Sequence, residues 1–386
     1  MAPPLPELRE ELVEEILLRF PPADPARLVH AALLSFVSGA GFRRRFREFH
    51  RTPPVLGFIC NLIQDDGGGA GTTVRFVPAV SSSPRYPPRA GHHAVDARHG
   101  RVLLRAMPPP IRCEFHFVVW DLVTDEQQEV PMLKAGSAPF KLPATWTVAM
   151  LCAAAARGGA ACDHHDCHLG HFNVVLVDLV LEHHLSVYVY SSESDVWTKV
   201  VSGHRLGRAS TWPSYATMGC GLLIGDALHF VIHGGHRILT YNLGSHGVSV
   251  VATQCPDPDV GNLYPMTSEN GGLGVAGVNF YTVNPTLGMV GWWEKGRVVE
   301  LKWMMLSIGI SEPWNKFDVV GFAKGTDTIF ISTYDDIFAI ELKSSRARRV
   351  CDRGRFCCGI LPYMSFYTPD IAIGRLMPPV TDKAAH

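Results

Sequence analysis

Four segments of this chain align without gaps, and each reads as a short strand, a polar turn and a returning strand. They are VVWDLVTDEQQEV from Val118, YVYSSESDVWTKV from Tyr188, LTYNLGSHGVSVV from Leu239 and FAIELKSSRARRV from Phe338. β-branched and aromatic residues favour strands, whereas Gly, Asp, Ser and Asn favour the turns between them. The segments therefore predict a repeated antiparallel β-hairpin.

The hairpins recur at a period near 50 residues. Their third positions are Trp120, Tyr190, Tyr241 and Ile340, at intervals of 70, 51 and 99 residues. The longest interval is about two periods, and GWWEKGRVVELKWMM from Gly291 fills the skipped place. A second series, LLIGDALHFVI, LGVAGVNFYTV and VGFAKGTDTIFIST, precedes the hairpins, and its glycines Gly225, Gly277 and Gly325 are 52 and 48 residues apart. We expect each repeat to contain two hairpins.

A 50-residue unit of two hairpins is typical of a β-propeller blade, closest to the kelch-like class. The fold class predicted is mainly β, with a propeller of about six blades over residues 54–386. A pair of β-sandwiches is the alternative. The 70-residue interval indicates an insertion, AAAARGGAACDHHDCHLG, in the second blade. We expect VLGFIC near residue 55 to pair with YMSFYTPDI near residue 363 and close the ring, because closure removes exposed strand edges.

Residues 5–50 predict a separate module of three short helices. The first spans about Leu8 to Phe20, before Pro21 and Pro22. The second begins at Asp24 and Pro25, a favourable N-cap and first-turn pair. The third carries Phe42, Phe46 and Phe49 on one face, opposite a set of arginines that we expect to be solvated. The residues expected to form the module's core are Leu12, Ile16, Leu28, Leu33 and Phe42. The apolar surface of Leu12, Ile16, Leu17 and Leu28 exceeds what three short helices can bury among themselves, so part of it should face something else.

The composition excludes several classes of function. The chain is 47% hydrophobic and 18% charged, with a formal net charge of −1. No global field favours nucleic acid or an anionic membrane, and no apolar stretch reaches the ~20 residues of a membrane helix. The acidic, proline-rich start is unlike a signal peptide. Ten cysteines are scattered along the chain, which favours a reduced compartment, cytoplasmic or nuclear.

One loop is rich in metal-ligating residue types. Cys162, His164, Cys167 and His168 are the candidate ligands, and thiolate with imidazole suits Zn²⁺. Structural zinc usually joins two separated ligand pairs, so we expect a solvent-exposed loop that binds no metal, and no cofactor elsewhere. GLGVAG from Gly272 formally fits a dinucleotide-binding motif but lacks the strand-before, helix-after context. We therefore expect no enzyme activity; catalysis on scattered propeller loops is the alternative.

The N-terminal residues resemble a known family. LPELREELVEEILLRFPPADPARLVHAAL, continued by GFRRRFREFHRTPPVLGF, is similar to the opening of plant F-box proteins, particularly the grass families with a β-rich associated domain. The resemblance implies that the helices dock on the Skp-type adaptor of a cullin ubiquitin ligase and that the β domain captures an unknown substrate protein. The adaptor-binding residues that it implies are Leu5, Pro6, Leu12, Ile16, Leu17, Pro21 and Leu28.

The chain departs from that family at one place. Between AAL and VSGAGF the family carries a Cys-Lys-x-Trp-like stretch, whereas this chain has only Leu34, Ser35 and Phe36. About one helical turn, including the tryptophan, is missing. The alternative function is therefore a non-catalytic propeller scaffold whose shortened F-box no longer binds the adaptor.

Overall fold

The computed structural model describes most of the chain outside several loops and the two ends. The described residues are 10–20, 40–51, 53–65, 70–79, 86–106, 116–122, 124–135, 138–139, 146–156, 167, 170–180, 184–205, 221–232, 237–253, 263–268, 270–279, 286–291, 298–300, 318–323, 326, 328–333, 336–344, 346–351 and 356–366. Within them the helices are α1 (Glu10–Leu18), α2 (Ala40–His50) and the short α3 (Ala153–Ala156). None of these helices has the length and apolar character needed to cross a membrane.

The described strands form four-stranded antiparallel sheets, numbered here in chain order. Sheet 1 contains β26 (Phe356–Met364), β1 (Val55–Asp65), β2 (Ala70–Pro78) and β3 (Arg89–Ala90). Sheet 2 contains β4 (His92–Arg98), β5 (Arg101–Ala106), β6 (Phe117–Asp121) and β7 (Gln127–Val130). Sheet 3 contains β10 (Trp146–Cys152), β11 (Phe172–Val180), β12 (His184–Ser191) and β13 (Val196–Arg205).

Three further sheets repeat the pattern. Sheet 4 contains β14 (Leu222–Ile224), β15 (Ala227–Ile232), β16 (Arg237–Asn242) and β17 (Val248–Ala252). Sheet 5 contains β18 (Tyr264–Thr267), β19 (Leu273–Asn279), β20 (Thr286–Gly291) and β21 (Val298–Glu300). Sheet 6 contains β22 (Asp318–Ala323), β23 (Thr328–Ser332), β24 (Ile337–Glu341) and β25 (Arg346–Cys351). A separate pair, β8 (Lys134–Ala135) and β9 (Ala138–Pro139), follows sheet 2.

The four aligned segments occupy the same place in their sheets. Each is the hairpin of the third and fourth strands, in sheets 2, 3, 4 and 6, and the predicted hairpins are confirmed there. The third positions, Trp120, Tyr190, Tyr241 and Ile340, are all fully buried. The segments therefore recur in the sequence because the same buried position recurs in these sheets.

The second series is only partly confirmed. Gly225 lies in the β14–β15 turn with a φ of 58°, which glycine adopts at little cost. Gly277 instead lies inside β19, opposite Gly288 of β20. The turn before β19 contains Gly271, with a φ of 78°, so Gly225 and Gly277 do not occupy equivalent places in their sheets. Gly325 lies outside the described residues.

The two ends of the β region pair with each other, as predicted. β1 runs antiparallel to β26, with Val55 opposite Met364 and Ile59 opposite Leu361. Sheet 1 thus takes its first strand from near the C-terminal end of the sequence and its other three from near residue 55. This pairing covers the edge that β1 would otherwise expose.

Apolar clusters join each sheet to the next around a closed order. Separate clusters of buried side chains lie between sheets 1 and 2, 2 and 3, 3 and 4, 4 and 5, 5 and 6, and 6 and 1. The last of these contains Phe58 of β1 and Phe330 of β23, whose ring centroids are 4.8 Å apart. A cyclic order of face-to-face antiparallel sheets is a β-propeller arrangement.

The predicted insertion occurs one sheet later than expected. It connects β10 to β11, in sheet 3, because sheet 1 is completed by β26 and the first aligned hairpin therefore belongs to sheet 2. The insertion begins with α3 and returns where the Ala153 amide donates to the His171 carbonyl at 2.9 Å.

The arrangement has two distinct edges. At one edge, which we call the helix edge because α1 and α2 lie there, the first strands of the sheets end, as at Arg98, Cys152 and Met364. The turns between first and second strands and between third and fourth strands lie there too. At the far edge, the first strands begin, as at His92 and Trp146, and the second strands end. Antiparallel order within every sheet sets this division.

Candidate docking surface and inter-sheet seam

Helix α1 is amphipathic. Its sequence, EELVEEILL, consists of residues compatible with a helix, with glutamates near the positive N-terminal end of the helix dipole. Leu17 and Leu18 are buried, at 3% and 4% exposure. They pack in a cluster with Phe42 and Phe46 of α2 and with Phe366, which follows β26. One face of α1 therefore belongs to a small core.

The other face of α1 carries two exposed apolar side chains. Leu12 and Ile16 lie one turn apart and are 52% and 51% exposed. Both were predicted as core residues of the helical module and as adaptor contacts. The core prediction was wrong for both, because the contacts of α1 are made by the neighbouring Leu17–Leu18 face. Their exposure leaves them accessible to a partner.

Leu17 was predicted as an adaptor contact, but its burial makes it part of the helix core in this structure. Phe42 is buried as predicted. The remaining predicted adaptor residues and core residues lie outside the described residues: Leu5, Pro6, Pro21, Leu28 and Leu33. The predicted second helix lies outside them as well.

Ionic and polar contacts fix α1 against α2. Arg45 Nη1 lies 2.8 Å from Glu14 Oε2, although the arginine is about half exposed and such pairs contribute little. His50 Nε2 lies 2.9 Å from the Leu18 carbonyl oxygen, and burial lowers the pKa of His50. Arg44 is exposed as expected of a solvated face, whereas Arg47 is buried.

The helix pair lies at the helix edge. α2 leads into Val55 at the start of β1, and Phe366 follows Met364 at the end of β26. Phe366 contacts Phe46 at 6.4 Å between ring centroids, and the Ser365 amide donates to the Pro54 carbonyl at 3.3 Å. Leu12 and Ile16 are thereby presented on a module attached to one defined edge.

The cysteine–histidine loop lies mostly outside the described residues. This applies to Cys162, His164 and His168, and only Cys167 of the four candidates is described; it is half-buried. Within the described part of the chain, no group of three or more His, Cys, Asp or Glu side chains could hold a metal ion.

A group of charged, polar and aromatic side chains lies between sheets 2 and 3, toward the far edge. Strand alternation directs Arg105 of β5 and Trp146 of β10 into the space between these sheets, where the Arg105 guanidinium carbon lies 5.4 Å from the Trp146 ring centroid. Asp178 of β11 is directly opposite Trp146 on one side and Ser186 of β12 on the other. Lys199 of β13 lies 5.4 Å from the Tyr188 ring. We call this group, Arg105, Trp146, Asp178, Ser186, Tyr188 and Lys199, the seam.

Asp178 is the unusual member of the seam. Its side chain is 5% exposed, and its Oδ1 atom has no hydrogen-bond partner among the described residues. Burial raises its pKa to about 6, and the positive charge of Lys199 opposes this effect only in part. A buried carboxylate oxygen that accepts no hydrogen bond is costly, so a donor placed beside Oδ1 would be favourable.

Burial also lowers the pKa of one basic member of the seam and of one basic neighbour. Burial lowers the pKa of Arg105. His93 lies opposite Arg105 in the β4–β5 pair, and burial followed by repulsion from Arg105 lowers its pKa to about 4. His93 is therefore neutral at physiological pH, and the charged members of the seam are Arg105, Lys199 and Asp178.

The sequence interpretation missed the seam. Its one available signal was Asp178 in VVLVDLVL, a lone carboxylate within an otherwise apolar strand. A charged side chain in a sequence that predicts a buried strand needs a hydrogen-bonding or ionic partner, or has a functional role. Arg105, Trp146 and Lys199 come from three other strands, and no sequence pattern joined them to Asp178.

No family model and no curated protein matches the chain. Its similarities to solved structures are distant. It resembles TolB from Acinetobacter baumannii (10% identity, TM-score 0.42, 86% of this chain and 72% of that one). It also resembles the GH93 α-L-arabinofuranosidase of Fusarium graminearum (12%, 0.41, 72% and 82%) and AofleA from Arthrobotrys oligospora (10%, 0.39, 82% and 92%). At this distance the likenesses carry no argument, and the architecture rests on strand pairing and packing.

Proposed function

We propose that this chain is the substrate-recognition subunit of a Skp–cullin–F-box ubiquitin ligase. The observation that carries the proposal is the pair Leu12 and Ile16, half-exposed on a helix whose opposite face is buried. Apolar side chains at i and i+4 on a short helix suit insertion into a groove of a partner protein. Together with the F-box-like sequence around them, they are the adaptor-docking surface in this proposal.

The β domain is the target-binding part in this proposal, and we infer that its six sheets are the six blades of one kelch-like propeller. The helices occupy the helix edge, so the far edge is left to face a target protein. Neither part performs chemistry. The mechanism is proximity: a bound target is held where ubiquitin-transferring enzymes of the complex can reach it. Such a complex would act in the cytoplasm or nucleus.

The test is a titration of purified Skp-type adaptor against the full chain and its variants. Ile16→Asp should weaken binding at least about tenfold, because it places a charge in a desolvated contact. Val196→Asp is the matched control, since Val196 is 53% exposed but lies on β13. It should bind like the natural chain. Equal binding by all three forms would refute the docking surface.

The alternative is a non-catalytic scaffold that does not bind the adaptor. The missing turn between AAL and VSGAGF favours it, as does the burial of Leu17. A fourth form of the chain, with the turn restored, separates the two functions. Tighter binding by the restored form supports a weakened F-box, because a buried aromatic anchor often contributes ~2 kcal/mol or more. No binding by either the natural or the restored form supports the scaffold.

A further inference from the structure

The seam between sheets 2 and 3 has the composition of a binding site. Asp178 offers a buried acceptor that no described residue occupies. Ser186 is buried directly opposite it on β12 and Trp146 directly opposite it on β10. Tyr188, two residues after Ser186 on the same strand, packs against the same cluster as Trp146. The nearest cation, Lys199, remains exposed over the Tyr188 ring. The carboxylate is thus held in place by the strands while its Oδ1 atom accepts no hydrogen bond from the described residues.

The charges of the seam restrict what can bind there. Arg105 and Lys199 are positive and Asp178 is negative, so the group carries a net positive charge above the pKa of the carboxyl. A further cation entering beside Asp178 would be repelled by the two already present, Arg105 and Lys199. An anion would be repelled by Asp178 at short range. A neutral group that donates a hydrogen bond to the Asp178 carboxylate and accepts one from the Lys199 ammonium avoids both repulsions.

We propose that the seam binds a carboxamide side chain, glutamine or asparagine, presented by an extended segment of a target protein. The amide N–H donates to Asp178, the amide oxygen accepts from Lys199, and the apolar stem packs between Trp146 and Tyr188. A carboxamide fits better than a hydroxyl because its donor and acceptor are separate atoms that can bridge two groups not in direct contact. The proposal rests on the proposed function only for the identity of the ligand as a target protein.

The probe is a library of nonapeptides in which one position is fixed in turn as Gln, Glu, Lys or Leu and the others are randomised. The library is bound to the purified full chain without adaptor. We expect peptides with fixed Gln to be selected at least about tenfold over those with fixed Glu, because the isosteric carboxylate cannot donate to Asp178. Leu should be selected no better than Glu.

The decisive variant is Asp178→Asn, which keeps shape and removes charge. It should reduce the selection for Gln about tenfold, since the ligand amide then donates to a neutral oxygen and the bond loses its charge assistance. The same change relieves an uncompensated buried charge, so its unfolding midpoint at neutral pH should not fall. A variant that is at least as stable yet no longer selects Gln cannot be explained by misfolding. Glu126→Gln, an exposed carboxylate at the helix edge, is the matched control and should select as the natural chain does.

Three outcomes would overturn the proposal. One is equal selection of Gln and Glu, or no selection at all. Another is preferred selection of Lys, which would assign Asp178 to a cation. The third is an unchanged preference for Gln in Asp178→Asn, which would locate the site elsewhere. Because the adaptor is absent from this experiment, its failure leaves the adaptor titration to judge the proposed function independently.

Discussion

At the residue scale, one local contact recurs in three sheets. The buried aromatic side chain of the third strand bonds to the side chain five residues later, and that later residue has a positive φ. The pairs are Trp120 Nε1 donating to Asp125 Oδ1 at 2.8 Å, Tyr190 Oη donating to Asp195 Oδ1 at 2.8 Å, and Tyr241 Oη with His246 Nδ1 at 2.6 Å; the φ angles are 63°, 57° and 54°. The contact satisfies the polar end of a buried ring and fixes the turn into the fourth strand.

This contact yields a stability prediction. Asp195→Ala should lower the free energy of unfolding by about 1 to 2 kcal/mol, because it removes the acceptor of the Tyr190 hydroxyl and puts alanine in a left-handed conformation. Asp195→Asn should lose clearly less, since asparagine can accept the bond and tolerates that conformation. Urea unfolding of the two variants measures the difference. Equal losses would mean that the hydrogen bond and the backbone conformation contribute little.

A second residue-scale prediction concerns pH. The pKa of Asp178 is raised to about 6 in the fold by burial, above the ordinary value of 3.8. The folded protein therefore binds this proton more tightly than the unfolded chain does. Its contribution to stability is fully present below pH 3.8 and is lost as pH rises through 6.

The Asp178→Asn variant should consequently become more stable relative to the natural chain as pH rises. We expect little difference near pH 4 and a more stable variant at pH 7, by about 1 to 2 kcal/mol. Urea unfolding midpoints between pH 4.5 and 7.5 measure this. Val251→Ala, which changes no titratable group, should show no such trend. A constant difference across the range would contradict the assignment of the penalty to Asp178.

At the element scale, the hairpins were predictable because their signal is local. Strand-forming residues, turn residues and a fixed interval are all visible in the sequence, and each unit repeats the same packing. The different places of Gly225 and Gly277 have a physical cause. Glycine marks a turn or a close backbone approach, and in β19 it lies opposite Gly288 within the sheet.

The helices show where sequence reasoning stops. Leu12, Ile16 and Leu17 share one broad apolar stripe, and helical periodicity alone does not say which part of it is covered. The answer depends on Phe366, which packs on the Leu17–Leu18 face from a distant part of the chain. The seam depends likewise on five strands of two sheets coming together. The exposed face of α1 and the seam both depend on tertiary packing, which a local sequence pattern does not contain.

At the scale of the whole molecule, closure by β1 and β26 makes the sheets interdependent. Each sheet packs on two neighbours, and sheet 1 is built from both ends of the β region. A defect in β26 therefore weakens contacts to sheet 1 directly and to sheets 2 and 6 through their shared clusters. Cyclic packing also holds the two edges apart, with the helices on one and the seam on the other.

This interdependence can be tested with Ile360→Ala in β26. Ile360 is fully buried between sheets 1 and 6, so the cavity should cost about 2 to 5 kcal/mol. If the ring unfolds as a unit, amide hydrogen exchange should accelerate in every sheet, including Leu228–Ile232 of sheet 4, far from the substitution. Val251→Ala, at an exposed valine on β17, should change neither stability nor exchange appreciably. Faster exchange confined to sheets 1, 2 and 6 would instead mean that the sheets unfold separately and that closure adds no global cooperativity.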